Sequence, residues 1–178
     1  MTNAPDPLAD LRDKMAEERA ELLALCEGLD EARAEVQPPD GEGEEGWSIK
    51  EQLSHLAEME SKYRAWASRA VNEDRPDLTG TVAEPVAIPL ERAHSATVPA
   101  LLDELARQRG LTDAFVAGLT PADLERTASE RNFGELTVLQ WLRSYYRHDR
   151  MHRAQIAGRE PDYRPRFVRG EPDQRRRP

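Results

Sequence analysis

Apolar residues recur three or four positions apart in four long stretches of the chain, and this spacing most restricts the folds that it can adopt. Such a repeat places the apolar side chains on one face of an α-helix. Strand patterns are nearly absent, because Pro85 and Pro89 interrupt the β-branched residues between Thr81 and Leu90. The sequence therefore predicts an all-α domain. The four helices are predicted to run from about Leu8 to Leu29, Ser48 to Asn72, Thr97 to Leu119 and Thr137 to Gly158.

Two of the predicted helices begin with a capping box. Ser48 is followed three residues later by Glu51, and Thr137 is followed three residues later by Gln140. In this motif the hydroxyl accepts a hydrogen bond from the third helical amide, and the longer side chain accepts one from the amide of the capping residue. Trp47 comes directly before the first box, where its ring can pack against the helix start. These signals locate the beginnings of predicted helices two and four.

Three segments have the composition of loops or tails. Residues 38–46 (PPDGEGEEG) are acidic and rich in glycine. Residues 74–89 form a long connection between helices two and three, long enough to cross a helical bundle. Residues 159–178 are rich in arginine and proline with little to bury, so we expect a disordered tail, although a basic tail sometimes binds a partner. The predicted domain is therefore 1–158, followed by the tail 159–178.

Composition excludes several classes of protein. The formal net charge of −9 argues against nucleic-acid binding, which needs a basic surface. The mean hydropathy of −0.78 and the lack of an apolar run near 20 residues argue against a membrane span. Cys26 is the single cysteine, which excludes an internal disulfide, and we interpret it as a small core residue. Residues 1–10 are acidic where a secretory signal would be basic and apolar, so we expect a cytoplasmic protein.

Two of the four histidines, His148 and His152, are spaced i, i+4 on the fourth predicted helix. At about 100° per residue they lie within about 40° of each other, on one face. Trp141 and Tyr145 share this face, so the histidines are predicted to point into the bundle, and the two aromatic residues are expected to be core or pocket wall. The opposite face is predicted to carry Arg143, Arg147, Arg150 and Arg153.

His55, on the second predicted helix, lies at the edge of that helix's apolar stripe. If helices two and four are neighbours, His55 can complete a three-histidine site with His148 and His152. Three neutral imidazoles with an open position form a catalytic type of zinc site, and nickel and iron also accept nitrogen ligands. The alternative is a set of core histidines that are hydrogen-bonded to tyrosine or backbone. We expect the fourth histidine, His94, on the surface.

Acidic residues near these elements have ordinary roles available to them. Glu18 interrupts the apolar stripe of helix one, and we interpret it as solvated, with a base or ligand in the cavity as the alternative. Glu58 is expected to pair with Lys62 at i+4, the alternative being to orient an imidazole. Asp149 can hold the second nitrogen of a ligand histidine or pair with Arg153. No proton-transfer residue is assigned.

Residues 47–56 (WSIKEQLSHL) and 146–156 (YRHDRMHRAQI) together resemble the DinB/YfiT-like superfamily (DinB family). The resemblance extends from about Leu8 to Gly158. It implies a four-helix bundle with a long connection between helices two and three, and frequently a homodimer. It also implies a divalent metal ion held by the residues that match His55, His148 and His152. Members with known activities include thiol S-transferases that use bacillithiol or mycothiol, and a mycothiol-dependent isomerase.

The expected function is that of a metal-dependent enzyme acting on a small-molecule substrate. A bound ion can activate water, which gives a hydrolase, or a thiol, which gives a low-molecular-weight thiol transferase with bacillithiol or mycothiol as co-substrate. The resemblance slightly favours the thiol transferase. The alternative is a non-catalytic, metal-binding or purely structural bundle dimer. Four protein ligands would favour that alternative, whereas a pocket lined by Trp141, Tyr145 and residues 74–89 would favour catalysis.

Overall fold

A computed structural model describes residues 6–41, 43–80 and 90–168, and within them the predicted all-α bundle is confirmed. Four long helices make up most of the fold, and short elements join them. The last long helix packs on the first and second, and the third packs on the first and second. In chain order the elements are α1 (Pro7–Leu25), α2 (Glu31–Glu35), α3 (Ile49–Asn72), α4 (Leu90–Ser95), α5 (Val98–Ala117), β1 (Thr127–Glu130), β2 (Gly134–Thr137) and α6 (Val138–Ile156).

Both predicted capping boxes are present. The Ser48 hydroxyl accepts a hydrogen bond from the Glu51 amide, and the Glu51 carboxylate accepts one from the Ser48 amide at 2.7 Å. Thr137 and Gln140 form the same pair of bonds at the start of α6. Each box satisfies amides that have no partner within the helix. The helices that carry the candidate histidines therefore begin at defined residues.

The first helix is shorter than predicted. It ends at Leu25 instead of Leu29, because the backbone reverses at Gly28 with a φ of +71°, in the left-handed region that glycine tolerates. Asp30 then caps the short helix α2 by accepting a hydrogen bond from the Arg33 amide at 2.8 Å. The long connection between the second and third long helices contains α4, and its residues 81–89 lie outside the described part of the chain.

The hairpin formed by β1 and β2 was not predicted from the sequence. Its antiparallel register pairs Thr127 with Thr137 and Glu130 with Gly134. The Glu130 carboxylate holds the turn by accepting hydrogen bonds from the amides of Asn132 and Phe133 at 2.7 and 3.1 Å. The strands are only four residues long and lack a clear apolar alternation, so their pattern is too short to recognise.

A buried ion quartet joins the four long helices near the middle of the bundle. Arg19, Glu60, Arg109 and Asp149 contribute one side chain each from α1, α3, α5 and α6. Each arginine contacts both carboxylates, at N–O distances from 2.6 to 2.9 Å. The two positive and two negative charges balance, so each buried ion has partners that offset part of its desolvation cost. Asp149 thus pairs with Arg19 and Arg109, and neither role suggested by the sequence is correct.

The described part of the predicted tail lies against the bundle, so the expectation of disorder is wrong for residues 159–168. The Val168 amide donates to the Asn132 carbonyl at 2.7 Å, and the Phe167 ring lies 5.1 Å from that of Phe133. Arg164 pairs with Glu45 at 2.7 Å. Residues 169–178 lie outside the described part of the chain. Among the residues that the structure describes, no helix combines the length and apolar character needed to cross a membrane.

Candidate metal centre

Three imidazoles meet inside the bundle, as the sequence analysis expects. His55 extends from α3, while His148 and His152 extend from successive turns of α6, which packs against α3. The Nε2 atom of His148 lies 3.2 Å from that of His55 and 3.0 Å from that of His152. These separations are short enough for one small ion to contact all three nitrogens, since zinc–nitrogen bonds are about 2.0–2.1 Å long.

A carboxylate that the sequence analysis did not select completes the cluster. Glu44 lies in a short 3-10 helix, Gly43–Gly46, just before Trp47. Its carboxylate oxygens lie 3.4 Å from His55 Nε2 and 3.7 Å from His152 Nε2. The four ligand atoms are all within 4.8 Å of one another. Glu44 was not selected from the sequence, because nothing in the acidic stretch 38–46 distinguishes it from its neighbours.

The hydrogen bonds behind His152 fix its tautomer. The Gln52 amide nitrogen donates to the Trp47 carbonyl at 3.2 Å, so the Gln52 carbonyl oxygen faces His152 Nδ1, at 3.1 Å. That oxygen can only accept, and Nδ1 therefore carries the imidazole proton. The Nε2 atom of His152 consequently presents a lone pair to the cluster. A lone pair facing other imidazole nitrogens in a buried place is what a metal ligand requires.

Burial keeps the imidazoles neutral. It lowers the pKa of His148 from 6.5 to about 4, and the charge of Arg19 contributes while that of Asp149 opposes the change. Burial also lowers the pKa of His55 and of His152 well below the usual value, with His148 contributing in both cases. Neutral imidazole is the form that binds metal. Three such nitrogens beside a carboxylate fit zinc, nickel or iron(II), so the residues present fit a divalent ion.

A cavity of about 690 Å³ opens onto this cluster. Trp141 and Tyr145, expected as core or pocket wall, are buried in the core and are not among its lining residues. One wall is instead the C-terminal segment, residues 162–167. The cavity is lined by Glu44, His55, Met59, Tyr63, Phe133, Leu136, Gln140, Ser144, Arg147, His148, Arg150, Met151, Asp162, Tyr163, Arg164, Pro165, Arg166 and Phe167.

The arginines of α6 do not all point away from the histidines. Arg147 and Arg150 line the same cavity as His148, which corrects the predicted opposite face. Glu18 is buried and pairs with Arg150 and with Arg153, so it is neither solvated nor among the residues around the cavity. The helical wheel failed here because long arginine side chains extend around the helix from their backbone positions.

The remaining candidates have the ordinary roles preferred from sequence. Glu58 pairs with Lys62 at 2.8 Å. The side chain of His94 is 53% exposed, as expected for a surface histidine. Cys26 is buried with Leu22 and Leu53 in a small apolar cluster, and burial raises the pKa of its thiol to about 11. A protonated, inaccessible thiol is a poor nucleophile.

The fold and the cluster define a four-helix-bundle protein in which two helices supply three histidines, two of them buried and His148 half-buried. The DinB superfamily profile matches residues 14–156, and the chain belongs to this superfamily. The family resemblance found in the sequence is thereby confirmed.

Known proteins similar to this chain agree with that assignment. An uncharacterized protein, YuaE, from Bacillus subtilis (strain 168) is 26% identical over 153 residues, which cover 79% of this chain and 91% of YuaE. Among solved structures, YfiT from Bacillus subtilis superposes with a TM-score of 0.73 at 17% identity, over 89% of each chain. An uncharacterized protein from Clostridium difficile 630 gives a TM-score of 0.64 at 9% identity, over 88% of this chain and 96% of that one. At these identities the structural matches establish the fold alone.

Proposed function

We propose that His55, His148 and His152 hold one divalent zinc, nickel or iron ion, and that the protein is a metal-dependent hydrolase of a small molecule. The observation that carries the proposal is the meeting of three neutral imidazole nitrogens at a cavity of about 690 Å³. The ion supplies Lewis acidity, which lowers the pKa of water toward neutral and also activates thiols. YfiT, which shares the fold, is described as a probable metal-dependent hydrolase.

Glu44 is the residue of this chain placed to move a proton. Its carboxylate lies within hydrogen-bonding distance of the histidine cluster and lines the same cavity. A carboxylate there can accept the proton of an attacking water and return it to a leaving group. Gln52 orients the His152 ring, because its side-chain oxygen accepts a hydrogen bond from Nδ1 of that ring.

Glu44 can accept the proton of a thiol as well as that of water, so the same geometry allows the thiol transfer that the family resemblance suggests. Transfer of bacillithiol or mycothiol remains the second candidate. The cavity beside the cluster favours an enzyme over a non-catalytic bundle. If Glu44 bound the ion directly, the ion would have four protein ligands, which favours the non-catalytic alternative.

Elemental analysis of untagged protein tests the first step. We expect about one equivalent of zinc, nickel or iron in the native chain and a loss of that metal in His148→Ala, with His94→Ala as the matched control on the surface. An unchanged metal content in His148→Ala would contradict the site. Metal-loaded protein is then assayed on chromogenic esters, amides and phosphoesters, with and without bacillithiol or mycothiol. If turnover occurs only when a thiol is present, the protein is a thiol transferase and the assignment as a hydrolase is wrong.

The family resemblance also implies a homodimer, and this stays a prediction. Sedimentation equilibrium of the full chain measures the mass directly. We expect twice the 20.2 kDa of one chain, and a mass of 20.2 kDa at all concentrations would contradict the dimer.

A further inference from the structure

Positive charge is concentrated in the cavity beside the histidine cluster. Four arginines line it (Arg147, Arg150, Arg164 and Arg166) against two carboxylates (Glu44 and Asp162). This balance is opposite to that of the whole chain, whose formal net charge is −9. A concave surface that reverses the overall charge concentrates field lines and attracts anions.

Two of these arginines have side-chain partners of opposite charge. Arg150 pairs with Glu18 and lies 4.0 Å from Asp162. Arg164 pairs with Glu45 at 2.7 Å. These guanidinium groups are largely neutralised by the protein, so they contribute little to attracting a ligand.

Arg147 and Arg166 differ from the other two. Within the described part of the chain, neither arginine forms an ion pair with a carboxylate. The Arg147 guanidinium instead lies over the rings of Tyr146 and Tyr163, with its carbon 5.9 and 5.5 Å from their centroids. A guanidinium has five N–H donors, so a hydrogen bond to the Tyr163 hydroxyl leaves other donors that can bind a carboxylate or phosphate.

The rest of the cavity lining is apolar and can contact the hydrocarbon part of an organic ligand. The ring centroids of Phe133 and Phe167 are 5.1 Å apart. Tyr63, Leu136 and Met59 add further apolar surface. Apolar walls with a few charged groups are the usual composition of a small-molecule site.

We propose that this cavity binds a small organic molecule that carries a carboxylate or phosphate group, with Arg147 and Arg166 as the residues that recognise the anionic end. The inference rests on the proposed function, because it names the substrate class of the same site. Arg166 belongs to the C-terminal segment, and that segment is therefore part of the binding site. The apolar wall holds the body of the molecule next to His55 and His148.

The test compares three small probes by isothermal titration calorimetry on the full, metal-loaded chain. Benzoate and phenyl phosphate carry the anionic group, and benzamide is the neutral analogue of benzoate. We expect the two anions to bind at least about tenfold more tightly than benzamide, and Arg147→Gln or Arg166→Gln to remove about tenfold of that affinity each. Arg159→Gln, an exposed arginine outside the cavity, is the matched control and should bind like the native chain.

Repeating the titrations after chelation by EDTA separates the two proposals. Binding that survives chelation and still depends on Arg147 and Arg166 supports the arginine site, even in a chain that proves to hold no catalytic metal. Binding that disappears with the metal and is unchanged in both arginine variants overturns it, because the ion then holds the anion. Equal affinity for benzamide and benzoate also overturns it. Because Arg166 is exposed, its substitution leaves the fold intact, and a melting curve checks this for both variants.

Discussion

Gln52 on α3 and His152 on α6 are joined by a hydrogen bond of 3.1 Å, and the orientation of the Gln52 amide makes Nδ1 of His152 the donor. This bond links the two helices that carry the histidine cluster. Because Nδ1 carries the proton, Nε2 of His152 is unprotonated and can donate its lone pair to a metal ion. The affinity of the site for metal therefore depends on a residue that touches no metal.

Gln52→Leu is expected to weaken metal binding by about 10- to 100-fold, because the imidazole loses the partner that fixes its tautomer. Gln52→Glu is the matched variant, since a carboxylate still accepts the hydrogen bond from Nδ1. Competition with a chromophoric chelator measures both affinities. Equal affinity in the leucine and glutamate variants would show that the bond has no such role.

Glu44→Gln is expected to reduce kcat by about 10²- to 10⁴-fold, because the amide cannot accept the proton. The three histidines remain, so the metal content should stay near that of the native chain. Glu27→Gln, an exposed glutamate outside the cavity, is the control and should retain most activity. If Glu44→Gln loses the ion instead, the carboxylate is a fourth ligand and the non-catalytic reading gains support.

The metal-free protein is expected to lose stability as the pH falls below 6.5. Burial lowers the histidine pKa values in the folded chain, in His148 to about 4, whereas the unfolded chain retains values near 6.5. Between these values the unfolded chain binds more protons, so acid favours unfolding. Urea unfolding of the EDTA-treated protein measures this effect from pH 6.5 down to about pH 4.

The upper part of this pH range isolates the histidines. The carboxylates whose pKa values are lowered, such as Glu31 and Glu73, lose their stabilising effect mainly at lower pH, whereas Asp113, whose pKa is raised by burial, acts in the opposite direction. His94→Gln is the control for a surface histidine outside the cluster. A free energy of unfolding that stays constant between pH 6.5 and about pH 5 would contradict the assignment of buried neutral imidazoles.

Cys26 is expected to react with iodoacetamide only after unfolding. The side chain is 1% exposed, and burial raises the pKa of the thiol to about 11, so the reactive thiolate is scarce below that pH. Mass spectrometry of samples alkylated with and without urea measures the difference. Rapid alkylation of the native chain near neutral pH would show that the first helix opens readily.

Asp149→Asn is expected to destabilise the fold by about 3–5 kcal/mol, because it leaves the charges of Arg19 and Arg109 incompletely paired in the interior. Glu73→Gln breaks an exposed pair with Arg69 and should cost much less. Urea unfolding measures both losses. Similar losses in the two variants would mean that the quartet is not a major source of stability.

The local part of the fold is predictable from sequence. The capping boxes at Ser48 and Thr137 depend on residues three positions apart. His148 and His152 share a helix face because they are four residues, or about one turn, apart. The contribution of His55 follows from the resemblance to the family, because no local rule determines which helices are neighbours.

The features that sequence reasoning missed depend on long-range contacts. Glu44 is one of several glutamates in an acidic stretch, and only the fold places it beside the imidazoles. The partners of Asp149 come from two other helices, 130 and 40 residues away. The tail composition indicated solvation, yet Phe167 finds an aromatic neighbour in the turn of the hairpin. Composition alone cannot identify such partners.

The cavity wall formed by residues 162–167 comes after the last helix of the bundle and is absent from the main clusters of core residues. Substitutions in this segment should therefore alter which molecules enter the cavity without reducing the stability of the helices. A scaffold of this kind lets selectivity evolve independently of folding. The same separation makes the segment a suitable place to redesign ligand preference while the histidine cluster is left untouched.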